Sequence, residues 1–146
     1  MAKVMKSEEI FRRVREVVAR ALYVDKANIA WESRLGADLA AEWLDLLDLA
    51  FRLQQEFKTD TILAKHLFPK MTNEMTDADG RLTETGIELL YESLPGESLA
   101  HLGLEPGARM EDLQTVGMLC RYMRSRFPER DDPALADEYR VFGGEG

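Results

Sequence analysis

This sequence of 146 residues is poor in the residue types that metal sites and nucleophilic catalysis most often use. It contains one cysteine, Cys120, and two histidines, His66 and His101. A single cysteine cannot form an intrachain disulfide, and its apolar neighbours favour a small buried thiol. The histidines stand far apart in the sequence, without cysteines or acids at the spacings that zinc sites require. We therefore expect surface or half-buried histidines and no metal site.

Long apolar runs are also missing. Charged residues interrupt every apolar stretch, and no basic segment followed by an apolar one opens the chain. This pattern predicts no membrane span, and we expect a cytoplasmic protein. No glycine-rich phosphate loop follows a strand, and no nucleophile stands in a recognisable pattern with a base and a stabilising group. We therefore expect a protein that is not an enzyme.

Acidic residues, in contrast, are abundant. The net charge is -8, while the proportions of 32% charged and 45% apolar residues are ordinary for a soluble globular protein. An acidic surface repels phosphates, so we expect no nucleic acid partner and favour proteins with basic patches. The acids concentrate between residues 25 and 60, which hold eight acids against four bases. Nothing in the sequence indicates an oligomeric state.

Apolar residues recur at helical spacing in two segments near the start of the chain. Ser7 is predicted to cap the first helix, with Glu8 and Glu9 in its first turn. The apolar face of this helix is formed by Ile10, Phe11, Val14, Val17, Val18, Ala21 and Leu22. The buried stripe of the second helix is formed by Leu46, Leu49, Ala50, Leu53 and Phe57.

Residues 60–110 have a different pattern, with a turn at 67–69, another at 77–80 and a helical segment from Thr85 through Leu94. They hold more apolar surface than a solvated linker would expose, so we expect them to pack on the rest of the protein. The residues expected to do so are Leu67, Phe68, Ile87, Leu89, Leu90, Leu94, Leu102 and Leu104. The length suits one domain, which we place at residues 1–128, followed by a polar tail at 129–146.

The turn at Asp77, Asp79 and Gly80 shares part of the pattern of a calcium-binding loop. With Gly80 at the sixth position of such a loop, the first and twelfth ligands would be Met75 and Gly86. Neither residue offers a carboxylate, so we interpret the segment as an ordinary turn.

The segment from Asp38 to Phe57 resembles the acyl carrier protein family. Residues 38–45 read Asp-Leu-Ala-Ala-Glu-Trp-Leu-Asp and residues 55–57 read Gln-Glu-Phe. The family has Asp-Leu-Gly-Ala-Asp-Ser-Leu-Asp, followed by an acidic amphipathic helix that ends in Glu-Glu-Phe. Downstream, the segment from Glu111 to Met123 contains Thr-Val-Gly and matches the family's closing helix. The matches together span about residues 8–126.

Residues 60–110 are similar to an insertion found in a specialised subgroup of that family. The subgroup has a Leu-Phe-Pro turn, an Asp-Gly segment that leads to a threonine, and an added helix. This chain has Leu-Phe-Pro at 67–69 and Asp-Gly-Arg-Leu-Thr at 79–83. The resemblance implies an all-α, acyl-carrier-like four-helix bundle with an inserted helical segment.

Trp43 occupies the position at which the family has the serine that receives 4'-phosphopantetheine. An indole has no nucleophilic oxygen, so the sequence predicts that no cofactor is attached at this residue. Ser93 and Ser98 each stand between an acid and a leucine, but neither has the approach or the acidic helix of the family motif. We interpret both as turn and cap residues.

The resemblance places partner binding at the start of the second helix. Family acids that meet Lys and Arg of synthases and transferases correspond to Glu42, Asp45 and Asp48. Gln54 and Gln55 stand where the family has a glutamate pair, which weakens electrostatic steering. The predicted partner-binding residues are Glu42, Trp43, Leu44, Asp45, Leu47, Asp48 and Phe51.

The first residue of this helix points outward in a carrier, so we expect Trp43 to be exposed and to anchor a partner. The alternative is that its ring folds over Leu39 or Leu47 and fills the acyl groove. The leading functional hypothesis is a non-catalytic, carrier-like partner of basic-patch enzymes in fatty-acid, polyketide or lipid metabolism. A second is a true acyl carrier that holds phosphopantetheine on a serine replaced here or located elsewhere. A third is a helical adaptor or dimerisation module.

Overall fold

The computed structural model describes residues 5–59 and 64–127, which form six α-helices. The helices are α1 (Ser7–Leu22), α2 (Trp43–Glu56), α3 (Ala64–Leu67), α4 (Glu84–Ser93), α5 (Met110–Leu113) and α6 (Val116–Arg126). The described residues contain no strand, only the isolated antiparallel bridges Arg34–Thr115 and Thr76–Leu82. The predicted all-α class is therefore confirmed. The predicted tail at 129–146 lies outside the described residues.

Helix α1 packs against both α2 and α6 and forms the centre of the bundle. Its residues Ile10, Val14 and Val18 are almost fully buried, and so are Leu49 and Leu53 of α2. Burying side chains of this size stabilises the fold by about 1.5–3 kcal/mol each. The helical spacing of apolar residues in the sequence therefore identified the faces that form the core.

The start of α1 differs from the prediction by one residue. Lys6 occupies the N-cap position without a side-chain hydrogen bond, and Ser7 is the first helical residue. The Ser7 hydroxyl instead accepts a hydrogen bond from Nη1 of Arg124 on α6. The Ser7 hydroxyl therefore connects α1 to α6 and does not cap α1. The acidic side chains in the first turn of α1 interact favourably with the helix dipole.

The predicted closing helix is divided in two. Helix α5 ends at Leu113, and α6 begins after Thr115, whose Oγ1 accepts a hydrogen bond from the Met118 N–H at 3.1 Å. Between the two helices, the Leu35 N–H donates to the Gln114 carbonyl at 2.9 Å. The break therefore connects the segment before α2 to the start of α6.

Gly117 allows the Trp31 indole to lie directly against α6. A Cβ at residue 117 would overlap Nε1 of Trp31, and the Gly117 N–H donates to the Trp31 carbonyl at 2.8 Å. In the Thr-Val-Gly sequence, the threonine therefore caps α6, and the glycine allows the Trp31 ring to approach the helix closely.

The insertion packs on the bundle as expected over its described part, residues 64–110. Leu67, Phe68, Leu90, Leu94 and Leu102 are buried. The other three predicted residues, Ile87, Leu89 and Leu104, are partly buried against the same core. Helix α4 lies within one residue of the predicted segment, and its N-cap, Thr83, accepts the Gly86 N–H at 2.9 Å.

Candidate functional site

The segment before α2 is held in place by a network of ion pairs. The Arg34 guanidinium contacts Asp112 at 2.8 Å and Asp38 at 3.1 Å, and Asp38 also accepts the Arg34 backbone N–H at 2.8 Å. The hydrogen bond from the Arg34 side chain is the main cause that lowers the pKa of Asp38, and the pKa of Arg34 is raised in turn. Ala40, where the family has glycine, has a left-handed backbone with φ of 61°. These contacts fix the approach to the first residue of α2.

Trp43 is that first residue, and Glu42 is the N-cap. The Glu42 N–H donates to Oδ2 of Asp45 at 2.8 Å, so the Asp45 carboxylate satisfies one of the donors left free at the start of a helix. The predicted partner-binding acid Asp45 therefore has a role in its own helix.

Four large apolar side chains on α2 face solvent. Trp43 is 54% exposed, Leu44 76%, Leu47 36% and Phe51 55%. Trp43, Leu47 and Phe51 follow one another at intervals of four residues, and Leu44 lies three residues before Leu47, so the four share one side of the helix, away from buried Leu49. We call these four residues the α2 ridge. The exposure expected for Trp43 is confirmed, whereas its role in partner binding remains a prediction.

The acids beside the ridge contribute less free negative charge than the sequence indicated. Oδ2 of Asp48 accepts a hydrogen bond from Nε of Arg52 at 2.7 Å, and this contact raises the pKa of Arg52. Among the described cations, none lies within ion-pair distance of Glu42 or Asp45. The surface around the ridge therefore combines a large apolar area with Glu42 and Asp45, two carboxylates that form a capping box at the start of α2 and that no described cation pairs with.

The resemblance implies 4'-phosphopantetheine, but the side chain at residue 43 does not fit that group because it has no hydroxyl. The two serines considered as substitutes have local roles, as expected. The Ser93 hydroxyl donates to the Leu90 carbonyl at 2.7 Å, and the Ser98 hydroxyl accepts the Ala100 N–H at 3.3 Å. Neither serine lies on α2.

Within residues 5–59 and 64–127, no three His, Cys, Asp or Glu side chains are grouped so that they could hold a metal ion. The acidic turn has the expected form, because Oδ1 of Asp77 accepts the N–H groups of Asp79 at 2.9 Å and Arg81 at 3.0 Å. The hydrogen bond from Arg81 is the main cause that lowers the pKa of Asp77. The same ranges contain no helix with the length and apolar character needed to span a membrane.

The prediction for the two histidines is wrong. His66 and His101 are both buried, and Nε2 of His101 lies 2.7 Å from the His66 carbonyl oxygen. Both residues belong to the insertion, and they meet because the 3-10 helix Ala100–Leu102 lies against the end of α3. Cys120 is a buried thiol as expected, and burial raises its pKa to about 12.

Comparison with known proteins identifies relatives of this chain. The acyl carrier protein of Thermotoga maritima is 40% identical to this chain over 50 residues. The chain is similar to acyl carrier proteins. The match covers 34% of the chain and 62% of the Thermotoga protein, so the chain spans less than two thirds of that relative's length. No protein-family model matches the chain, and no solved structure matches it.

This similarity and the all-α fold agree with the acyl-carrier-like fold that the sequence predicts. Sequence reasoning identified the α2 residues but missed the pairing of Asp48 with Arg52. A signal for that pair was present, because an acid and an arginine four residues apart lie side by side on a helix.

Proposed function

We propose that this protein is a non-catalytic, carrier-like docking protein that holds no prosthetic group at residue 43 and binds an enzyme through the α2 ridge. The observation that carries this proposal is the position of the ridge. It begins at Trp43, the residue that stands where a carrier has its attachment serine, and it continues along the helix through Leu47 and Phe51.

The apolar character of the ridge favours direct burial against a partner. Exposed apolar patches on soluble proteins mark interaction sites when the side chains are contiguous. Tryptophan is enriched among the residues whose truncation weakens an interface most, by about 2 kcal/mol or more. Trp43 and Phe51 are therefore the expected anchors, with Leu47 between them.

The partner chemistry follows from the surroundings of the ridge. Glu42 and Asp45 provide negative charge beside Trp43, while the Asp48 carboxylate is paired with Arg52. A partner fits this arrangement if it has an apolar groove for the ridge and basic side chains at the end of the groove that receives Trp43. Enzymes of acyl transfer or lipid synthesis that bind acyl carriers are the class that we propose.

Modification by a phosphopantetheinyl transferase tests this proposal. Wild-type protein incubated with coenzyme A and a broad-specificity transferase should gain no mass, because Trp43 has no hydroxyl. The Trp43→Ser variant should gain the mass of one phosphopantetheine in at least part of the sample, since the rest of the α2 approach resembles a carrier. Intact mass spectrometry measures both, and Trp43→Ala is the matched control that lacks an oxygen.

A second substitution in the Trp43→Ser background tests the ridge itself. Phe51→Glu should abolish or strongly slow modification, whereas Tyr91→Glu should not, although Tyr91 is also an exposed aromatic residue, on α4. Modification of wild-type protein would contradict the proposal. A folded Trp43→Ser variant that several transferases leave unmodified would also contradict it, and would favour the helical adaptor instead.

A further inference from the structure

A cleft of about 490 Å³ lies between α6 and the segment that leads to the 3-10 helix Ala100–Leu102. Such a volume is within the range of small-molecule sites. One wall is formed by Arg121, Tyr122 and Arg126 of α6, and the facing wall includes Glu97, Ser98 and His101. This cleft is separate from the α2 ridge, because none of the ridge residues lines it.

Two aromatic side chains line the cleft and are largely covered by their neighbours, since Tyr122 is 4% and His101 7% exposed. The rings of His101 and Tyr122 meet edge to face with their centroids 4.8 Å apart. The Arg126 guanidinium lies 4.8 Å from the centroid of the Tyr122 ring. His101 is buried, and burial lowers its pKa, so its ring is neutral at pH 7. The surface can therefore contact an apolar or aromatic group.

Arg121 supplies an oriented positive charge. Its Nε donates to the His101 carbonyl at 3.2 Å, which leaves the two terminal nitrogens of the guanidinium for another acceptor. No carboxylate of the described residues lies within ion-pair distance of Arg121. A guanidinium held in this way is preorganised for the paired oxygens of a carboxylate or phosphate.

Charged side chains of both signs line the cleft. Among the described residues they are Arg121, Arg126 and one carboxylate, Glu97. Glu97 lies 3.7 Å from Nε2 of His66 at the edge of the insertion. Since burial lowers the pKa of His66, its ring does not neutralise Glu97 at pH 7, and Glu97 opposes the arginines.

We infer that this cleft binds a small organic anion, with its carboxylate or phosphate on Arg121 and its apolar body against Tyr122 and His101. The shared chemistry is an oxyanion attached to an aromatic or aliphatic group. This inference is independent of docking through the α2 ridge.

Titration with defined probes tests the inference and separates the two oxyanions. Phenyl phosphate and benzoate are added to isotope-labelled protein, and amide shifts are followed by NMR. Saturable shifts confined to residues 97–102 and 121–126 are expected, and the tighter probe identifies the preferred oxyanion. Benzylamine, which carries the opposite charge on a similar body, should give no saturable shifts. Absence of saturation with both anions, or equal binding of benzylamine, would overturn the inference.

Three substitutions make the test specific. Arg121→Gln should weaken binding of the preferred probe about tenfold, because a charge-assisted hydrogen bond is lost. Arg12→Gln, which removes an exposed arginine of α1, is the charge-matched control and should leave the affinity unchanged. Glu97→Gln should tighten binding about twofold or more, since it removes the opposing charge.

Ser98→Asp keeps the test decisive if Arg121→Gln perturbs the fold. An aspartate can still accept the Ala100 N–H, as the Ser98 hydroxyl does, but it adds a negative charge to the wall of the cleft. We expect several-fold weaker binding with an unchanged circular dichroism spectrum. An equal loss of affinity in Arg12→Gln, or no loss in Ser98→Asp, would overturn the inference.

Discussion

The two tryptophans of this chain have different surroundings, and the difference separates a structural role from a docking role. Trp31 is 40% exposed, yet its ring lies 5.7 Å from that of Phe11 and directly against Gly117. Trp43 is 54% exposed and has no aromatic contact among the described residues. Solvent exposure alone would not distinguish them, whereas their contacts do.

We predict that alanine substitution affects the two positions differently. Trp31→Ala should lower the free energy of unfolding by about 2 kcal/mol, because it removes the contacts with Phe11 and α6. Trp43→Ala should lower it by less than about 1 kcal/mol, since the residue lies outside the core. Urea denaturation followed by circular dichroism measures both. Equal losses would show that Trp43 supports the fold and would weaken its assignment as a docking anchor.

At the scale of single residues, resemblance predicted more than composition did. The exposure of Trp43 followed from its position at the start of a carrier-like helix. The burial of His66 and His101 could not be predicted, because it depends on the tertiary packing of the insertion against α6. No periodic pattern connects two residues that meet only through a backbone carbonyl.

Among the secondary-structure elements, α2 shows how one helix provides both a core and a surface. Leu49 and Leu53 are fully buried, while Leu44 and Phe51 face solvent on another side. The buried stripe was predictable from helical spacing. The ridge was not predictable from spacing alone, because an apolar residue outside the stripe is compatible with either burial or exposure. Its prediction required the carrier resemblance.

Helix α3 was missed, and α5 was predicted as part of the closing helix, for a related reason. Helices α3 and α5 have four residues each, which is too few for an amphipathic period to be recognised. Their positions depend on capping and on contacts with other segments. The longer α4 was predicted within one residue, because a following Pro-Gly pair marks its end.

We predict that Gly86→Ala loosens the insertion. A Cβ at this residue would overlap the backbone of Met75, which cannot move as a side-chain tip could. The local stability of residues 73–94 should fall by about 1–3 kcal/mol, as expected for overpacking. Amide hydrogen exchange should show faster exchange in this range than in the wild type, with smaller changes in α1.

Gly36→Ala is the matched control for this experiment. A Cβ at residue 36 would lie 3.8 Å from its nearest neighbour, the Ala41 carbonyl oxygen, which is an ordinary contact. The control should keep wild-type exchange. Unchanged exchange in Gly86→Ala would show that α4 and the 3-10 helix Asn73–Met75 are not packed as described.

At the scale of the whole molecule, a polar connection joins the insertion to α6. Nε2 of His101 contacts the His66 carbonyl, and the His101 carbonyl in turn accepts a hydrogen bond from Arg121. Burial is the main cause that lowers the pKa of both histidines, and the positive charges of Arg121 and Arg126 also lower that of His101. The folded protein therefore binds fewer protons at these rings than the unfolded chain does.

This difference predicts that the protein loses stability as the pH falls below the ordinary histidine pKa of about 6.5. Because the unfolded chain takes up more protons in that range, the free energy of unfolding rises with pH and is greatest above it. Protonation of carboxylates with lowered pKa values, such as Asp38 and Asp77, also lowers the free energy of unfolding, but only at more acidic pH. Urea denaturation at about pH 7.5 and pH 5.5 isolates the contribution of the histidines.

The variant His101→Gln assigns this pH dependence to a specific ring. A glutamine amide can still donate a hydrogen bond to the His66 carbonyl, but it does not titrate. The loss of stability between the two pH values should therefore be smaller in the variant than in the wild type. His66→Gln should also reduce the loss, and the double variant should reduce it further because both rings contribute. An unchanged pH dependence in the double variant would show that the buried histidines do not link protonation to unfolding.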